Sequence, residues 1–362
     1  MRLLNEGQTL RGTYEVERFL GEGAFGEVYR VKHRFLGRQA MKVFKVADLP
    51  LSEVEELLSE AILLSRIGHP NIIRVFDAGV VDTPNGERGF FTMEYVPGGS
   101  LDQFWSSHGN KFVPIETSVE IIRQVCRGLA VAHAEDPPIV HRDVKPQNIL
   151  VGYDATGIRA RLSDFGLAKR VNPLTLLASA RGTPAFKPPE VFTDPQSDSC
   201  AADVWSVGAT LYLLLTDSLP YHDDLADPSS LSRFKHGLAK PSSLNISVDE
   251  VLETVVMRAL SPEPAQRHKD ARELLETLEQ WKPGLARRQA LPTSTQKEIL
   301  ATAENLTQDE ASLQLRTALE LSRSPDRLVE AADLLEQALN RLPALRPKYE
   351  YALSLWRRGI VL

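Results

Sequence analysis

The stretch from residue 141 to 148 reads His-Arg-Asp-Val-Lys-Pro-Gln-Asn and places three chemically useful side chains close together. Asp143 offers a carboxylate that can accept a proton, Lys145 a cation that can hold an anion, and Asn148 an amide oxygen that can ligate a metal ion. Pro146 interrupts regular structure between them, because it lacks a backbone N–H. Polar loops with a proline are common on protein surfaces, so this stretch indicates a site only if the rest of the chain supports it.

A second candidate lies near the N-terminus, where the chain reads Gly21-Glu22-Gly23-Ala24-Phe25-Gly26. Polar and apolar residues alternate on both sides of it, over residues 14–20 and 27–32, which predicts two strands. A dinucleotide-binding fold requires a helix after such glycines, and here a strand follows. The glycines form either a simple tight hairpin or a hairpin that covers phosphates and offers them backbone N–H groups.

Lys42 lies in the apolar segment 39–46, which is predicted to be a third strand. A lysine in such a strand needs a partner for its charge, unless its ammonium group reaches water at a sheet edge. Glu60 could provide this partner, because it lies in the helix predicted next. Ser52 and Glu55 have the spacing of a capping box and predict the start of that helix.

Asp164-Phe165-Gly166 follows the alternating run 158–162. Asp and Gly are common in turns, so one interpretation is an ordinary turn. The other is a carboxylate held at the end of a strand for a metal ion. Mg²⁺ prefers oxygen ligands and commonly shares them with phosphates, and Asn148 could supply a second oxygen.

The order of these motifs is more specific than any one of them. A glycine loop, a strand lysine, a helix glutamate, His-Arg-Asp-x-Lys-x-x-Asn, Asp-Phe-Gly and Pro-Pro-Glu at 188–190 follow one another along the chain. Over residues 14–278 the sequence resembles the eukaryotic-type (Hanks-type) serine/threonine protein kinases, and its short loops are similar to those of bacterial members. The resemblance implies an α+β, bilobal fold, with a small antiparallel-sheet N-lobe carrying one main helix, a larger helical C-lobe and an all-α segment after them.

The resemblance also implies that the chain uses ATP and Mg²⁺. Asp143 would orient or deprotonate the substrate hydroxyl, and Lys145 would stabilise the transferring phosphoryl group. Lys42, held by Glu60, would bind the α- and β-phosphates. Mg²⁺ would be bound by two side chains, Asn148 and Asp164. The remaining nucleotide contacts would come from the glycine loop, the hinge with its gatekeeper and the adenine pocket: Gly21, Glu22, Gly23, Ala24, Phe25, Gly26, Val28, Ala40, Met93, Glu94, Val96, Leu101 and Leu150.

The substrate class also follows from the resemblance. The pattern Asp-x-Lys-Pro-x-Asn around Lys145 is typical of Ser/Thr-directed members, and Thr183 matches the Thr that contacts the catalytic Asp and Lys in them. Protein Ser and Thr hydroxyls are therefore the predicted acceptors. Two residues depart from the family pattern, since Phe186 stands where many members have Tyr and Pro188 replaces the Ala of Ala-Pro-Glu.

Regulation by phosphorylation is a further expectation. Arg142 precedes the catalytic Asp, as in members that are controlled by a phosphate in the activation loop. Ser179 is the first candidate for this phosphate and Thr175 the second, and Arg142 with Lys169 would pair with it. Alternatively, Ser179 and Thr175 are only small polar residues in a loop.

Other family matches predict structural roles. Asp203 would anchor the catalytic loop, and Arg267 would pair with Glu190. An internal stack would be formed by Leu64, Val75, His141 and Phe165. Plain core packing is the alternative interpretation for its apolar members.

Changes in pattern along the chain predict the domains. A kinase domain over 14–281 would comprise an N-lobe (14–93), a hinge (94–99) and a C-lobe (100–281), followed by a linker (282–296) and a helical segment (297–362). In this segment Ala331, Leu335, Ala338 and Pro343 have the spacing of half a tetratricopeptide repeat, although a plain amphipathic helical pair fits as well. One repeat cannot bury its own core, so we expect these helices to dock elsewhere, self-associate, bind a protein partner or belong to a longer protein.

Composition excludes several classes of function. The net charge of −6 argues against nucleic acid as a partner. Two distant cysteines and the lack of an apolar leader predict a cytoplasmic protein. The apolar run 204–215 is too short to span a bilayer, which predicts a buried helix. The main alternative to an active enzyme is a pseudokinase scaffold that presents the C-terminal helices to partners, although Lys42, Asp143 and Asp164 are all present. A small-molecule kinase of related fold is disfavoured by the peptide-docking segment around Thr183.

Overall fold

Alternating polar and apolar residues build the first part of the chain into one antiparallel sheet. In the computed structural model its strand order is β1-β2-β3-β4-β6-β5. The strands are β1 (Thr9–Leu10), β2 (Tyr14–Glu22), β3 (Gly26–His33), β4 (Gly37–Ala47), β5 (Val75–Thr83) and β6 (Gly86–Glu94). Strands β2, β3 and β4 are the three predicted from the sequence, each longer by one or two residues at an end. The structure describes residues 2–23, 26–47, 51–84, 86–108, 113–154, 157–165, 184–194, 199–221, 234, 237–245, 247–283, 311, 313–322, 327–342 and 345–356.

The two faces of the sheet carry different apolar clusters. On one face Leu3 and Leu4, which precede β1, are buried with side chains of β2, β3 and β4. Their backbone N–H groups donate to side chains of β3, from Leu3 to Oε2 of Glu27 and from Leu4 to the hydroxyl of Tyr29, both at 3.0 Å. A second cluster contains Ala40 and Met93 together with residues from the helix that follows β4. Most of the predicted adenine-pocket residues belong to this second cluster.

The main N-lobe helix is divided in two, as α1 (Leu51–Leu57) and α2 (Ser59–Ile67). The predicted capping box is wrong, because α1 already begins at Leu51 and Ser52 lies inside it. The division falls at Leu58, just before Ser59, whose hydroxyl donates to the carbonyl oxygen of Glu56 at 2.9 Å. Such a side-chain bond competes with the backbone ladder and so favours a break.

Long apolar periodicity correctly predicts the C-lobe helices. The apolar pattern predicts four helices, over residues 115–134, 201–215, 249–260 and 271–281, and each agrees with the structure to within one residue at either end. Helix α6 is buried along almost its whole length, as expected from the apolar run 204–215. The helices are α3 (Leu101–Ser106), α4 (Ile115–His133), α5 (Pro189–Thr193), α6 (Cys200–Thr216), α7 (Pro241–Leu244), α8 (Glu250–Ala259) and α9 (Ala271–Gln280).

A short hairpin positions the polar motifs. The 3₁₀ turn Pro146–Asn148 leads into β7 (Ile149–Asp154), which pairs with β8 (Gly157–Leu162). Single bridges connect Ile72 with Leu162 and Ser100 with Leu150. Asn148 therefore lies just before one strand of the hairpin, and Asp164 lies just after the other.

The chain divides into two compact units. One comprises Met1–Gly152 with Arg159–Pro283, and the other Tyr153–Ile158 with Gly284–Leu362. The second unit contains α10 (residues 313–321), α11 (Leu328–Arg341) and α12 (Arg346–Trp356). Their shared apolar cluster includes Ala318, Ala331, Leu335, Leu353 and Trp356. Tetratricopeptide identity stays a prediction, and Pro343 lies outside the described residues. In the part of the chain that the structure describes, no helix is long and apolar enough to cross a membrane.

Candidate active site

One carboxylate, that of Asp203, fixes the backbone of the predicted catalytic loop (residues 141–148). Asp203 of α6 is buried and accepts hydrogen bonds from the backbone N–H of His141 (2.7 Å) and of Arg142 (2.8 Å). Nε2 of His133 lies 3.0 Å from the same carboxylate. Burial alone would lower the pKa of His133, but its hydrogen bond to Asp203 raises the pKa to about 9. The predicted anchoring role of Asp203 has this geometric basis.

Asp143, Lys145 and Asn148 are in direct contact. Nζ of Lys145 lies 2.7 Å from Oδ2 of Asp143, and Nδ2 of Asn148 donates to the same oxygen at 3.0 Å. Asn148 also donates to the backbone carbonyl of Asp143 at 2.8 Å. Although burial opposes ionisation, the ammonium groups of Lys187 and Lys145 hold the pKa of Asp143 below its usual range. Asp143 is therefore an ionised carboxylate that can accept a proton.

Lys42 pairs with Asp164 rather than standing at a sheet edge in water. Nζ of Lys42 lies 2.6 Å from Oδ2 of Asp164, and the Lys42 side chain is 5% exposed. Asp164 adopts φ 64°, a left-handed conformation that Asp tolerates better than most residues. Glu60, the predicted partner of Lys42, lies in α2, and its side chain is not among those described. The Lys42–Glu60 pair stays a prediction.

The donor set fits a divalent cation. Oδ1 of Asp164 is buried and has no hydrogen-bond partner among the described residues. A buried carboxylate oxygen without a partner is costly, and a cation would satisfy it. Because Asn148 uses its amide nitrogen on Asp143, its amide oxygen remains available as a second hard ligand. These two oxygens are the ones predicted for Mg²⁺.

Several residues predicted to line the nucleotide pocket pack together. Ala40 on β4 pairs with Met93 on β6, and both are buried. A single apolar cluster contains Val28, Ala40, Met93, Val96 and Leu150. Leu101 is buried but belongs to α3, outside this cluster. The walls of the predicted adenine site would thus be formed by strands of the sheet, the segment after it and β7.

The glycine-rich turn joins β2 to β3. Gly21 pairs with Val28 and Glu22 with Glu27, so the turn is a hairpin with no helix after it. Nζ of Lys45 lies 2.5 Å from Oε1 of Glu22 at its outer side. The backbone N–H of Gly23 donates to the carbonyl of Gly26 at 2.8 Å. Ala24 and Phe25 lie outside the described residues.

The model of the protein kinase domain matches residues 14–355 of this chain. The chain belongs to the protein kinase family. The serine/threonine-protein kinase ATG1c of Arabidopsis thaliana is 36% identical over 211 residues, which are 58% of this chain and 28% of that protein. The serine/threonine-protein kinase PknB of Mycolicibacterium smegmatis is 31% identical over 274 residues, covering 74% of this chain and 42% of that protein. The crystal structure of the Mycobacterium tuberculosis PknI kinase domain has a TM-score of 0.56 at 27% identity, covering 76% of this chain and 98% of that one.

These comparisons agree with the architecture expected from the sequence. The antiparallel-sheet lobe followed by a helical lobe is the kinase fold of the PknI structure. This kinase chain nevertheless spans well under half the length of the two curated relatives. The predicted domain boundaries stay predictions.

Two further family matches are present in the geometry of this kinase. The rings of His141 and Phe165 pack against each other in a tilted arrangement with centroids 4.5 Å apart, and both side chains are buried. Arg267 forms a two-pronged ion pair with Glu190, from Nη1 to Oε1 at 2.6 Å and from Nη2 to Oε2 at 2.8 Å. Leu64 is buried and Val75 half-buried.

Most of the predicted regulatory residues lie outside the described residues. These are Lys169, Thr175, Ser179 and Thr183. Arg142 is described, adopts φ 69° and donates from Nη1 to the carbonyl oxygen of Val140 at 2.8 Å. Control by phosphorylation stays a prediction.

The structure adds one residue that the sequence did not indicate. Nζ of Lys187 lies 3.4 Å from Oδ1 of Asp143 and donates to the carbonyl oxygen of Arg142 at 2.6 Å. The carboxylate of Asp143 therefore contacts two lysines, Lys145 and Lys187. The segment Phe-Lys-Pro-Pro carries no local signal for this contact, which joins residues 44 positions apart. Only the position of the segment just before Glu190 could have drawn attention to it.

Proposed function

We propose that this chain is an ATP- and Mg²⁺-dependent serine/threonine protein kinase. The observation that carries the proposal is the contact of Asp143 with Lys145 and Asn148, combined with the Lys42–Asp164 pair at 2.6 Å. A base, a phosphate-binding cation and a metal-binding pair are the groups that phosphoryl transfer requires. The names of the relatives, which are serine/threonine-protein kinases, support the same assignment.

Each side chain has a role that its contacts support. Asp143 is ionised and accepts the proton as the substrate hydroxyl oxygen bonds to phosphorus and the bond to the leaving ADP breaks. Lys145 can turn from Asp143 to the transferring group and stabilise its charge. Lys42 binds the α- and β-phosphates, and the glycine hairpin covers them with backbone N–H groups. When bound, ATP supplies the phosphoryl group, and Mg²⁺, held by Asp164 and Asn148, neutralises charge on the phosphates.

The acceptor is proposed to be a Ser or Thr hydroxyl of a protein. Lys145 in its Asp-x-Lys-Pro-x-Asn pattern supports this, as do the names of the relatives. Ser179 is the first candidate for autophosphorylation and Thr175 the second, with Arg142 and Lys169 as partners of the phosphate. The pseudokinase alternative is disfavoured because the base, the lysines and the metal-binding oxygens are all present.

The C-terminal helices are proposed to bind a protein partner or a second copy of the chain. The packing of α10, α11 and α12 around Leu335 and Trp356 supports a module with its own small core. The kinase domain over 14–281, the linker over 282–296 and the cytoplasmic location are predictions of the sequence that accompany this proposal.

The test of the activity is direct. The purified chain is incubated with labelled ATP and Mg²⁺ beside the variants Asp164→Ala and Asp143→Asn, and phosphosites are mapped by mass spectrometry. We expect label on Ser or Thr in the wild type and none in either variant. ATP binding without any transfer in the wild type would instead indicate a scaffold.

A further inference from the structure

Lys187 is held in a rigid part of the chain. It follows the 3₁₀ turn Pro184–Phe186, and the carbonyl oxygen of Phe186 accepts a hydrogen bond from the buried hydroxyl of Ser206 at 2.8 Å. After it come Pro188 and the first residue of α5, which restrict the backbone on that side. The Lys187 side chain therefore starts from a fixed point beside the catalytic loop.

The ammonium group of Lys187 is hydrogen-bonded to the backbone of the catalytic loop. It donates to the backbone carbonyl of Arg142, the residue just before Asp143, at 2.6 Å. The same group lies 3.4 Å from Oδ1 of Asp143, and the side chain is only 22% exposed. Because the same cation binds the backbone carbonyl and the carboxylate, it restrains the position of the carboxylate relative to the backbone.

The two oxygens of Asp143 have different surroundings. Oδ2 contacts two donors, Lys145 at 2.7 Å and Asn148 at 3.0 Å. Oδ1 contacts Lys187 at the longer distance of 3.4 Å. A carboxylate oxygen offers two lone pairs, so Oδ1 is the atom with room for the hydroxyl of a substrate. Lys187 thus stands beside the oxygen that takes the proton.

The two lysines cannot have the same task during transfer. Lys145 contacts Asp143 at 2.7 Å, and its proposed role requires it to move towards the phosphoryl group. Lys187 remains bound to the carbonyl of Arg142 and so remains at Asp143. A carboxylate that loses one cation while a second one stays keeps its orientation for the substrate.

We propose that Lys187 is a positioning residue for the phosphoryl transfer, which fixes the Oδ1 side of Asp143 for the acceptor hydroxyl. This inference rests on the proposed kinase activity. It assigns Lys187 no contact with ATP or with the metal.

The test compares Lys187→Met, which removes the charge and keeps the length of the chain, with Lys187→Arg, which keeps the charge. Lys240→Met is the matched control, because Lys240 also lies 3.4 Å from a carboxylate, that of Glu253, but is 70% exposed. Each chain is first incubated with a trace of wild-type chain to equalise activation, and dephosphorylated casein serves as the acceptor. Steady-state kcat and KM, the affinity for a fluorescent ADP analogue and the melting temperature are measured.

We expect Lys187→Met to lower kcat about tenfold to a hundredfold, with the KM for ATP and the ADP affinity unchanged within about twofold. Lys187→Arg should recover part of the loss, and Lys240→Met should match the wild type. An unchanged or increased kcat in Lys187→Met would overturn the inference, as would a loss explained by weaker nucleotide binding or a lower melting temperature. An inactive wild type would instead refute the proposed function, so the two failures are distinguishable.

Discussion

Within the catalytic loop, one side chain supports two different steps. The amide nitrogen of Asn148 donates hydrogen bonds to both the backbone carbonyl and the carboxylate of Asp143. Its oxygen is then free for a metal ion, which couples the position of the base to the position of the metal. Second contacts of this kind commonly change metal affinity or activity by ten- to a hundredfold when they are removed.

We predict that Asn148→Ala lowers kcat about a hundredfold and raises the Mg²⁺ concentration for half-maximal rate about tenfold. The substitution removes both the restraint on Asp143 and one proposed metal ligand. The measurement is a Mg²⁺ titration of the initial rate at saturating ATP. The neighbouring variant Gln147→Ala is the control, since Gln147 is an exposed residue that donates to Asp102 at 2.9 Å. An unchanged Mg²⁺ requirement in Asn148→Ala would argue against the metal assignment.

Among the elements, the glycine-rich hairpin depends on close contact between two strands. A Cβ atom added at Gly26 would lie 2.3 Å from the carbonyl oxygen of Val43, which is far inside van der Waals contact. At Gly21, in the same turn, no atom lies within 4 Å of such a Cβ. The close packing that requires glycine in this hairpin is therefore at Gly26 and not at Gly21.

We predict that Gly26→Ala destabilises the protein by about 1–3 kcal/mol, because the end of β3 must move away from β4. Gly21→Ala should cost less, because its Cβ meets open space. Melting temperatures of both variants, measured without nucleotide, test the difference. Equal melting temperatures would show that β3 and β4 adjust freely at this end.

The short helix α5 depends on a buried ion pair rather than on its own length. Its Glu190 accepts two hydrogen bonds from Arg267, whose side chain is 0% exposed, whereas that of Glu190 is 17% exposed. Arg267 also donates to backbone carbonyls of Ser261 and Pro262. A helix of five residues is not stable alone, so this pair fixes the segment that precedes it, including Lys187.

We predict that Glu190→Gln lowers the free energy of unfolding by about 3 kcal/mol, because it leaves the guanidinium group buried without its counter-charge. Urea unfolding measures this change. Glu279→Gln is the control, since Glu279 pairs with Arg127 at 3.4 Å on the surface and should change stability by less than about 1 kcal/mol. Similar losses in the two variants would contradict the dominant role of the buried pair.

Elements with a long repeating pattern could be predicted from the sequence. Helices α4 and α6 agree to within one residue, because more than four turns of apolar spacing define each of them. The break between α1 and α2 was not predicted, since Ser59 gives no sign in the apolar pattern that its hydroxyl bonds to Glu56.

The contacts of the candidate site likewise fall into those that local sequence predicts and those that depend on the tertiary fold. Asp143, Lys145 and Asn148 lie within one loop, so local spacing predicts that they meet. The partner of Lys42 found in the structure, Asp164, is 122 residues away along the chain. The contact of Lys187 with Asp143 likewise depends on the tertiary fold. Such contacts cannot be read from periodicity, and the sequence predicted Glu60 rather than Asp164 as the partner of Lys42.

At the scale of the whole molecule, two buried histidines respond to pH in opposite directions. Burial, followed by the charge of Arg258, lowers the pKa of His268 to about 4, and neither ring nitrogen has a hydrogen-bond partner among the described residues. His133 has a pKa raised to about 9 by Asp203. The His133 contribution to stability is complete below pH 6.5 and is lost as pH rises through about 9. The contribution of His268 to stability is present above pH 6.5 and is lost as pH falls towards about 4.

We predict that His268→Leu makes the protein less sensitive to acid. The unfolded chain binds a proton at His268 near pH 6.5 and the folded chain only near pH 4, so falling pH favours unfolding across this window. Removing the histidine should recover about 2–3 kcal/mol of the stability lost by the wild type at pH 4. Urea unfolding of both proteins between pH 4 and 8 measures this. Parallel curves would show that His268 titrates normally.

The single carboxylate of Asp203 has a consequence for how mutations in this chain are interpreted. Among the described residues it binds two backbone amides of the catalytic loop and the imidazole of His133, and these are not groups proposed to bind nucleotide or metal. A screen for loss of activity will therefore score α6 substitutions beside Asp203 as severely as those at Asp143 itself. A loss of activity in such a screen can therefore result from displacement of the loop backbone as readily as from loss of a reacting group. Measuring nucleotide affinity distinguishes these two causes.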